Sequence, residues 1–579
     1  MVTVRGRALV FGDDTRSFLA ILRSLGRKRI AVHAAPTNFR SPALASRYLS
    51  AVHRIPPYFG DGTAWCAALT GLLRRESFDL VIPCDERSIL PIALYRQSFA
   101  DLSRMALPDR HALEVFFDKA KTRDLAASCA VPVAPGRRIV AGDSGPGLVA
   151  EFGLPLVLKP CRSFRLEALY SRAGVAICLD EKEVTQALAD IANVPTLAEG
   201  HFAGAGAGVS ILASRGRVLQ AFQHRRARER GGAGFYRVSE PLAPDLTAAV
   251  ERMAAATAFT GVAMFEFKVA SPSGRWILLE VNARPWGSMP LPVALGVDFP
   301  FRWYQLLVEG EETPSVEYRA GVYGRNLIPD AHQILAEARE LRSTPLAMIR
   351  YLGMAGSEYG RILTGREHLD VLVSDDPAPG LVELRHQAKA ALSHLLRWLP
   401  GGRRLAGRRD RRLVRRIMAG YGNGRATLVM LCQGNICRSP VAAELLRRRL
   451  GAHVPDLIVV SAGMLPREGA CSPQAAVEAA RRHDIDLAGH RSAYLSDQCA
   501  GEAALLVVFD RRNMEDLRTR SPELVRKTVM LGSFLDRNGA RCAIPDPDGG
   551  DLATFEWTYA AVAAAVKGLA AAIDESGPA

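Results

Sequence analysis

The chain has 579 residues, 48% of them hydrophobic and 23% charged, which is the composition of a globular protein too long for a single core. It contains no apolar run long enough to span a bilayer, its first residues do not resemble a secretory signal, and its ten cysteines lack metal-type spacing. We therefore expect several domains and free thiols in the cytoplasm. The net charge of +14 is partly local to one arginine-rich run, and no nucleic-acid partner is expected.

Residues 1–115 alternate between strand-like and helix-like patterns. The apolar run 7–11 leads into an amphipathic stretch around Phe18 and Leu25, and residues 80–84 form a second apolar run. This alternation predicts a small parallel α/β domain. We expect the acids that follow the second run, Asp85 and Glu86, to belong to a solvated loop; the alternative is that they line a cleft.

Residues 116–312 carry polar side chains at hairpin positions. Residues 276–282 form a predicted strand in which Glu280 and Asn282, two positions apart, project from one face. Across a turn, Glu266 on the preceding strand can join them. Two carboxylates and an amide oxygen suit Mg²⁺ bridging nucleotide phosphates, and Arg284 could stabilise transferred phosphoryl charge. The alternative is a hairpin with a solvated polar face.

These residues, with Lys159 at the end of an apolar strand, resemble the ATP-grasp superfamily, most of all carbamoyl-phosphate synthase large subunits and carboxylate–amine ligases. The resemblance implies that Lys119 and Lys159 contact ATP phosphates and that Glu199 and the Phe202 backbone contact adenine. It implies ATP and Mg²⁺ as cofactors, and a carboxylic acid and an amine as substrates. Residues 161–165 (CRSFR) stand where the family has a glycine-rich loop.

Residues 313–400 show helical patterns without recognisable chemistry. Between residues 402 and 416, eight arginines accompany one acid, Asp410, which predicts a solvated linker over 401–425. The alternative is a basic amphipathic helix in peripheral contact with anionic lipid. Its apolar anchors would be Trp398, Leu399, Leu405, Leu413, Val414, Ile417 and Met418.

Residues 426–579 begin with an apolar strand pattern, then a turn, then a helix pattern from 441. Cys432 and Arg438 bracket five residues on this turn, where backbone N–H groups, the helix N-terminus and a guanidinium can together hold a phosphate. The same field should stabilise the Cys432 thiolate, with help from Ser439. Asp546, on a loop between two prolines, could protonate a leaving oxygen.

Residues 432–440 (CQGNICRSP), 461–463, 489–492, 508–513 and 546–547 together resemble the low-molecular-weight protein tyrosine phosphatases. The resemblance implies that Cys432 forms a phosphocysteine, that Arg438 holds the phosphate oxygens and that Asp546 is the general acid and then the general base. It implies that Asn435 braces the loop, with Ser461, and that Cys437 can form a reversible disulfide with Cys432.

Two features leave the phosphatase substrate open. Asp548 and Gly549 stand where family members often place an aromatic wall, so a phosphotyrosine protein and a small aryl phosphate are both candidates. The same fold also serves arsenate reductases, which need a close pair of redox cysteines. No such pair is formed by Cys471, Cys499 and Cys542, so we favour phosphatase activity over arsenate reduction.

The sequence thus predicts an α/β multidomain protein with N-terminal pre-ATP-grasp and ATP-grasp (α+β) domains and a C-terminal phosphatase domain with a parallel sheet. The predicted boundaries are 1–115, 116–312, 313–400 (helical extension), 401–425 (linker) and 426–579. The leading hypothesis is a bifunctional ligase and phosphatase. Alternatively, the ATP-grasp part is a regulatory module that positions the phosphatase near a kinase or a surface-polysaccharide assembly, or the phosphatase is vestigial.

Overall fold

The computed structural model forms two compact units, Met1–His386 and Gln387–Ala579. The residues that the structure describes are 5–12, 15–58, 60–169, 174–191, 194–230, 233–395, 402–421, 426–451, 457–465, 468–535 and 543–575. The predicted multidomain α/β class is confirmed. The boundary between the units falls within one helix, whereas the sequence pattern predicted five segments.

The first unit opens with a five-stranded parallel sheet in the order β3-β2-β1-β4-β5. Its strands are β1 (Gly6–Gly12), β2 (Ile30–Pro36), β3 (Leu49–Val52), β4 (Leu80–Pro83) and β5 (Arg104–Met105). Its helices are α1 (Thr15–Arg27), α2 (Thr63–Glu76), α3 (Glu86–Leu94), α4 (Arg96–Phe99) and α5 (Arg110–Phe116). β4 and residues 8–12 of β1 are continuously apolar and buried because helices cover both faces of the sheet.

A four-stranded antiparallel sheet follows, in the order β6-β9-β7-β8. Its strands are β6 (Gly136–Arg138), β7 (Leu156–Pro160), β8 (Ala176–Cys178) and β9 (Thr196–Gly200), with helices α6 (Lys119–Ser128), α7 (Gly145–Phe152) and α8 (Glu181–Asp190). Lys159 lies on β7 and Glu199 on the neighbouring β9, and these strands pair directly.

The largest sheet has seven strands in the order β14-β13-β10-β11-β12-β15-β16. The strands are β10 (Ala205–Ser214), β11 (Arg217–Arg230), β12 (Ala233–Glu240), β13 (Gly261–Val269), β14 (Trp276–Asn282), β15 (Tyr323–Arg325) and β16 (Glu367–Leu369). The helices are α9 (Pro244–Ala256), α10 (Pro290–Ala294), α11 (Phe299–Tyr304), α12 (Leu327–Glu340), α13 (Pro345–Glu358), α14 (Gly360–Leu363) and α15 (Ala378–Leu395). In the β13–β14 hairpin, Glu266 lies directly opposite Glu280.

Residues 313–400 are therefore not helical throughout, because they supply β15 and β16 to this sheet. β15 pairs with β12, and β16 pairs in parallel with β15. Each strand is three residues long, too short to show a two-residue alternation. Inside the sheet Arg325 donates to both carboxylate oxygens of Glu367, so these positions are buried although charged.

The second unit contains a four-stranded parallel sheet in the order β18-β17-β19-β20, which confirms the predicted parallel α/β domain. Its strands are β17 (Ala426–Cys432), β18 (Leu457–Gly463), β19 (Leu505–Val508) and β20 (Thr528–Met530). Its helices are α16 (Gly402–Tyr421), α17 (Arg438–Leu450), α18 (Gln474–Arg481), α19 (Asp497–Glu502), α20 (Arg511–Arg520) and α21 (Leu552–Asp574). The core lies between the sheet and the long helix α21.

Helix α16 occupies the segment that we expected to be a solvated linker. Four apolar residues spaced along one helical face pack into the core of the second unit: Leu413, Val414, Ile417 and Met418. Val414 is fully buried, and the Asp410 carboxylate accepts hydrogen bonds from Met530 N (3.3 Å) and Ser533 Oγ (2.6 Å). These four side chains are therefore used inside the fold and cannot enter a lipid surface.

The other three predicted lipid anchors lie outside what the structure describes: Trp398, Leu399 and the Leu405 side chain. Among the described residues, no helix combines the length and the hydrophobicity needed to cross a bilayer.

Candidate functional site

The strand–turn–helix around Cys432 forms as the sequence predicts. Cys432 is the last residue of β17, and α17 begins at Arg438, so the five intervening residues curve around the cysteine sulfur. Cys432 Sγ lies 3.0 Å from Ser439 Oγ and accepts a hydrogen bond from Asn435 N at 3.2 Å. Both contacts can stabilise negative charge on the sulfur.

Asn435 holds the shape of this loop. Its backbone φ is +53°, and its amide nitrogen donates to Ser439 Oγ (2.9 Å) and Ser461 Oγ (3.0 Å). Its amide oxygen accepts from Ala493 N (2.8 Å), and its carbonyl oxygen lies 2.7 Å from His490 Nε2. Four contacts from three different segments thus fix a conformation that asparagine tolerates better than most residues.

Arg438 is almost completely buried, with 1% of its side chain exposed, and is oriented by two carboxylates. Nη1 donates to Asp510 Oδ2 (2.5 Å) and to the Ile544 carbonyl (3.0 Å), and Nη2 donates to Asp546 Oδ2 (2.5 Å). For Nε, no hydrogen-bond acceptor lies in range within the described part of the chain. The guanidinium is therefore held in place while one buried donor remains available to a ligand oxygen.

Asp546 lies at the mouth of the loop, with 41% of its side chain exposed. Partial burial raises the pKa of Asp546 and favours the protonated form, although the positive charge of Arg438 acts in the opposite direction. A carboxyl group with a raised pKa, beside an anion cradle and open to solvent, can carry a proton to a leaving group.

Cys437 lies on the inner side of the loop and is 2% exposed. Burial, followed by the nearby negative charge of Asp548, raises the pKa of Cys437, so this thiol stays protonated at neutral pH. Tyr559 from α21 donates to the Cys437 carbonyl at 3.2 Å. Asp548 and Gly549 form an exposed turn after Pro547, so these two positions supply no aromatic wall.

The first unit contains a second polar cleft. Among its lining residues are four of the predicted site residues: Lys119, Glu280, Asn282 and Arg284. Lys119 Nζ donates to Ser163 Oγ (3.0 Å) and lies 4.0 Å from Glu280 Oε2. Glu86 also lines the cleft, where its carboxylate accepts from Arg284 Nη2 at 3.3 Å. Glu86 thus belongs to the cleft and is not a solvated loop acid.

Four other predicted residues are not among the described residues that line this cleft: Lys159, Glu199, Phe202 and Glu266. Lys159 Nζ instead forms an ion pair with Glu199 Oε2 at 2.6 Å, and Arg123 Nη1 donates to Glu199 Oε1 at 3.2 Å. Phe202 is half-buried just beyond β9. Lys159, a predicted contact of the ATP phosphates, is therefore paired with Glu199, a predicted contact of adenine.

The predicted metal ligands are engaged with protein groups. Glu266 accepts from Arg226 Nη2 and, at 3.1 Å, from Asn282 Nδ2. Burial raises the pKa of Glu266, and the positive charge of Arg226 opposes that shift. Burial also acts to raise the pKa of Glu280, but the nearby positive charges, led by Lys119 and Arg284, together lower it. Glu280 and Asn282 offer hard oxygen donors to the cleft and fit Mg²⁺. Glu266 fits less well, because both of its oxygens already accept hydrogen bonds.

The sequence pattern did not predict the contacts that three further residues make here. Asp510 caps α20 by accepting from Asn513 N, which is what an aspartate after an apolar strand predicts, yet it also binds Arg438. Arg226 and Ser163 come from segments that the hairpin pattern does not include. The register of β11, β10 and β13 brings Arg226 to Glu266, while Ser163 reaches Lys119 from the loop after β7.

Two solved structures are similar in chain trace. The biotin carboxylase domain of 2-oxoglutarate carboxylase from Hydrogenobacter thermophilus, solved with MgADP and bicarbonate, is 16% identical, with a TM-score of 0.46 over 55% of this chain and 74% of that one. N5-carboxyaminoimidazole synthetase from Staphylococcus aureus, solved with ADP, is 14% identical, with a TM-score of 0.46 over 59% and 87%. A likeness at this level says nothing about the reaction.

The C-terminal segment has closer relatives. Residues 427–579 match the family model of the low molecular weight phosphotyrosine protein phosphatases. The low molecular weight protein-tyrosine-phosphatase Wzb of Escherichia coli K12 is 32% identical over 132 residues, which is 23% of this chain and 84% of that protein. Etp of the same strain is 30% identical over 133 residues, 23% of this chain and 84% of that protein. Through this segment, the chain belongs to the low molecular weight protein tyrosine phosphatase family.

Proposed function

We propose that the second unit hydrolyses aryl phosphate monoesters, such as phosphotyrosine, through a phosphocysteine at Cys432. The observation that carries this proposal is the position of Cys432 Sγ, 3.0 Å from Ser439 Oγ and 3.2 Å from Asn435 N, at the base of a loop closed by Arg438. Arg438 and the loop amides bind the phosphate oxygens and stabilise the charge that develops on them.

In the first step, the Cys432 thiolate attacks phosphorus. The new sulfur–phosphorus bond forms as the bond to the aryl oxygen breaks, and Asp546 gives its proton to that oxygen. In the second step, water attacks the phosphocysteine and the Asp546 carboxylate takes a proton from it. Cys432 leaves as a thiolate, which receives hydrogen bonds from Asn435 N and Ser439, and inorganic phosphate is released.

The test is hydrolysis of a small aryl phosphate by the full-length protein and by Cys432→Ser. Activity should be abolished, since the serine hydroxyl is not ionised at neutral pH, while Cys437→Ser should retain most of it. Equal activity in the wild type and Cys432→Ser would refute the role of this cysteine.

We infer that the first unit is an ATP-dependent carboxylate–amine ligase of the ATP-grasp type. The support is the cleft that gathers Lys119, Glu280, Asn282 and Arg284, together with the sequence resemblance. A substrate carboxylate attacks the terminal phosphate of ATP, ADP leaves, and an amine then displaces phosphate from the acyl phosphate. Lys119 and Arg284 hold the transferred phosphoryl group, and Glu86 orients Arg284 through their hydrogen bond.

Glu280 and Asn282 are the residues that would hold Mg²⁺, which supplies neutralisation of the phosphate charge. The ligase assignment is tested by screening carboxylic acids with amines for ADP release. With a productive pair, Glu280→Gln should no longer release ADP, whereas Glu167→Gln, at an exposed acid that is not among the lining residues, should still release it. Failure of every pair would refute the ligase.

One observation favours a second candidate function for the first unit. Arg226 occupies one oxygen of Glu266, and Lys159 is neutralised by Glu199, so the ligand groups are already paired. In a regulatory module that binds nucleotide without turnover, this pairing would persist. ATP would then change phosphatase activity without ADP release, as suits a phosphatase near a kinase or a surface-polysaccharide assembly. The described cysteines are free thiols, which supports a cytoplasmic location.

A further inference from the structure

Helix α13 in the first unit exposes large apolar side chains to solvent. Leu346 is 79% exposed, Ile349 63% and Met354 58%, and Leu363 in the following helix α14 is 92% exposed. Single exposed apolar residues are ordinary, but a cluster of this kind within less than twenty residues marks an interaction surface.

These residues of α13 occupy the outward face of the helix. At 100° per residue, Leu346, Ile349 and Gly353 lie on one side, with Met354 at its margin, and Ala355 lies on the opposite side. Ala355 is 2% exposed, so the helix does pack against the protein, but with the other face. The outward face of α13 is therefore exposed to solvent, while the opposite face packs against the protein.

The charges around this face are positive. Residues 341–366 contain four arginines and one acid, Arg342, Arg350 and Arg366 are exposed, and one exposed acid, Glu340, directly precedes this stretch. The acid, Glu358, accepts from Arg228 Nη2 at 2.5 Å and lies 3.8 Å from Arg325, so its charge is compensated from within. The surface thus combines exposed apolar side chains with an excess of exposed arginines.

We propose that the α13–α14 surface docks on an anionic phospholipid membrane. Apolar side chains that enter the headgroup boundary, with arginines at its level, are what such a membrane binds. A second copy of the chain fits less well, because a two-fold contact would bring Arg350 of each copy against the same cationic patch. The arginine-rich helix α16 is a poorer candidate, since its apolar face is buried. This proposal does not depend on the ligase assignment.

The test is flotation of the full-length protein with phosphatidylcholine vesicles, with and without phosphatidylglycerol. We expect binding only to the anionic vesicles, weakened by salt. The double variant Leu346→Ser/Ile349→Ser should lower the partition coefficient by at least about tenfold, since each residue loses the transfer of a large apolar side chain. Arg350→Glu should also lower it, through charge alone.

Leu179→Ser is the matched control, because Leu179 lies on the same unit, is 66% exposed and is remote from α13 in sequence. This variant should float like the wild type, and phosphatase activity should be unchanged in all four proteins. Absence of wild-type flotation, or equal flotation of the Leu346/Ile349 variant, would overturn the proposal. A wild-type dimer that forms as protein concentration rises, and that the Leu346→Ser/Ile349→Ser variant does not form, would also overturn the proposal, because the surface would then bind a second copy of the chain.

Discussion

Asn435 offers a sharp test of how the phosphatase loop is held. Its side chain makes three hydrogen bonds, to Ser439, Ser461 and Ala493, and its φ of +53° is one that alanine resists and glycine accepts. Asn435→Ala and Asn435→Gly remove the same hydrogen bonds. They differ only in how well the new residue tolerates the backbone conformation.

Three lost hydrogen bonds at about 1 kcal/mol each lower the stability of the loop and its sheet by about 3 kcal/mol in both variants. Alanine adds a left-handed penalty of about 1–2 kcal/mol, while glycine adds about 0.5–1 kcal/mol through its greater freedom in the unfolded chain. Asn435→Gly should therefore be more stable than Asn435→Ala by up to about 1.5 kcal/mol.

Hydrogen-exchange mass spectrometry of β17 peptides measures this difference in the intact chain, because exchange reports the opening free energy of each segment. Aryl phosphate hydrolysis should fall in both variants, since the amides around Cys432 lose their fixed positions. Protection that is unchanged from the wild type in both variants would refute the bracing role. If Asn435→Ala proves as stable as Asn435→Gly, or more stable, the argument from the backbone conformation is refuted.

The remaining predictions concern Asp546, Asp410 and Glu280. Asp546→Asn should lower kcat for aryl phosphates by about 10²–10⁴-fold. Because the acid must carry its proton, wild-type kcat/KM should fall as pH rises through the raised pKa of Asp546. A pH profile in which Asp546→Asn shows the same decline would contradict this role. Asp410→Ala leaves the donors of Met530 and Ser533 without their acceptor and should lower the stability of β20 by about 1–3 kcal/mol, measured by hydrogen exchange, with Asp410→Asn affected less. Glu280→Gln should weaken Mg²⁺-dependent ATP binding in calorimetry, and unchanged affinity would exclude Glu280 as a ligand of the ion.

The strand, turn and helix around Cys432 could be predicted because local signals agree there: an apolar run, a short polar loop, then helix-forming residues. The hairpin that places Glu266 opposite Glu280 could also be predicted, since its strands are adjacent in sequence. In both places the relevant contacts lie close along the chain.

The rest depends on long-range packing. Arg226 reaches Glu266 from a strand forty residues earlier, and no local pattern specifies that register. The apolar face of α16 that includes Val414 is visible in the sequence, but the dense arginines favoured a solvated linker or a lipid-binding helix, and no local pattern shows that this face packs into a protein core. Asp510 had a sufficient local explanation as a helix cap, which hid its contact with Arg438.

The central claim is that Cys432 carries the phosphoryl group during turnover. In Asp546→Asn, loss of the general base slows hydrolysis of the intermediate, so it should accumulate with an activated aryl phosphate whose departure needs little protonation. A denaturing quench followed by peptide mass spectrometry should find one phosphoryl group on Cys432. Turnover with phosphate on another residue, or with no covalent intermediate at any time, would contradict the account.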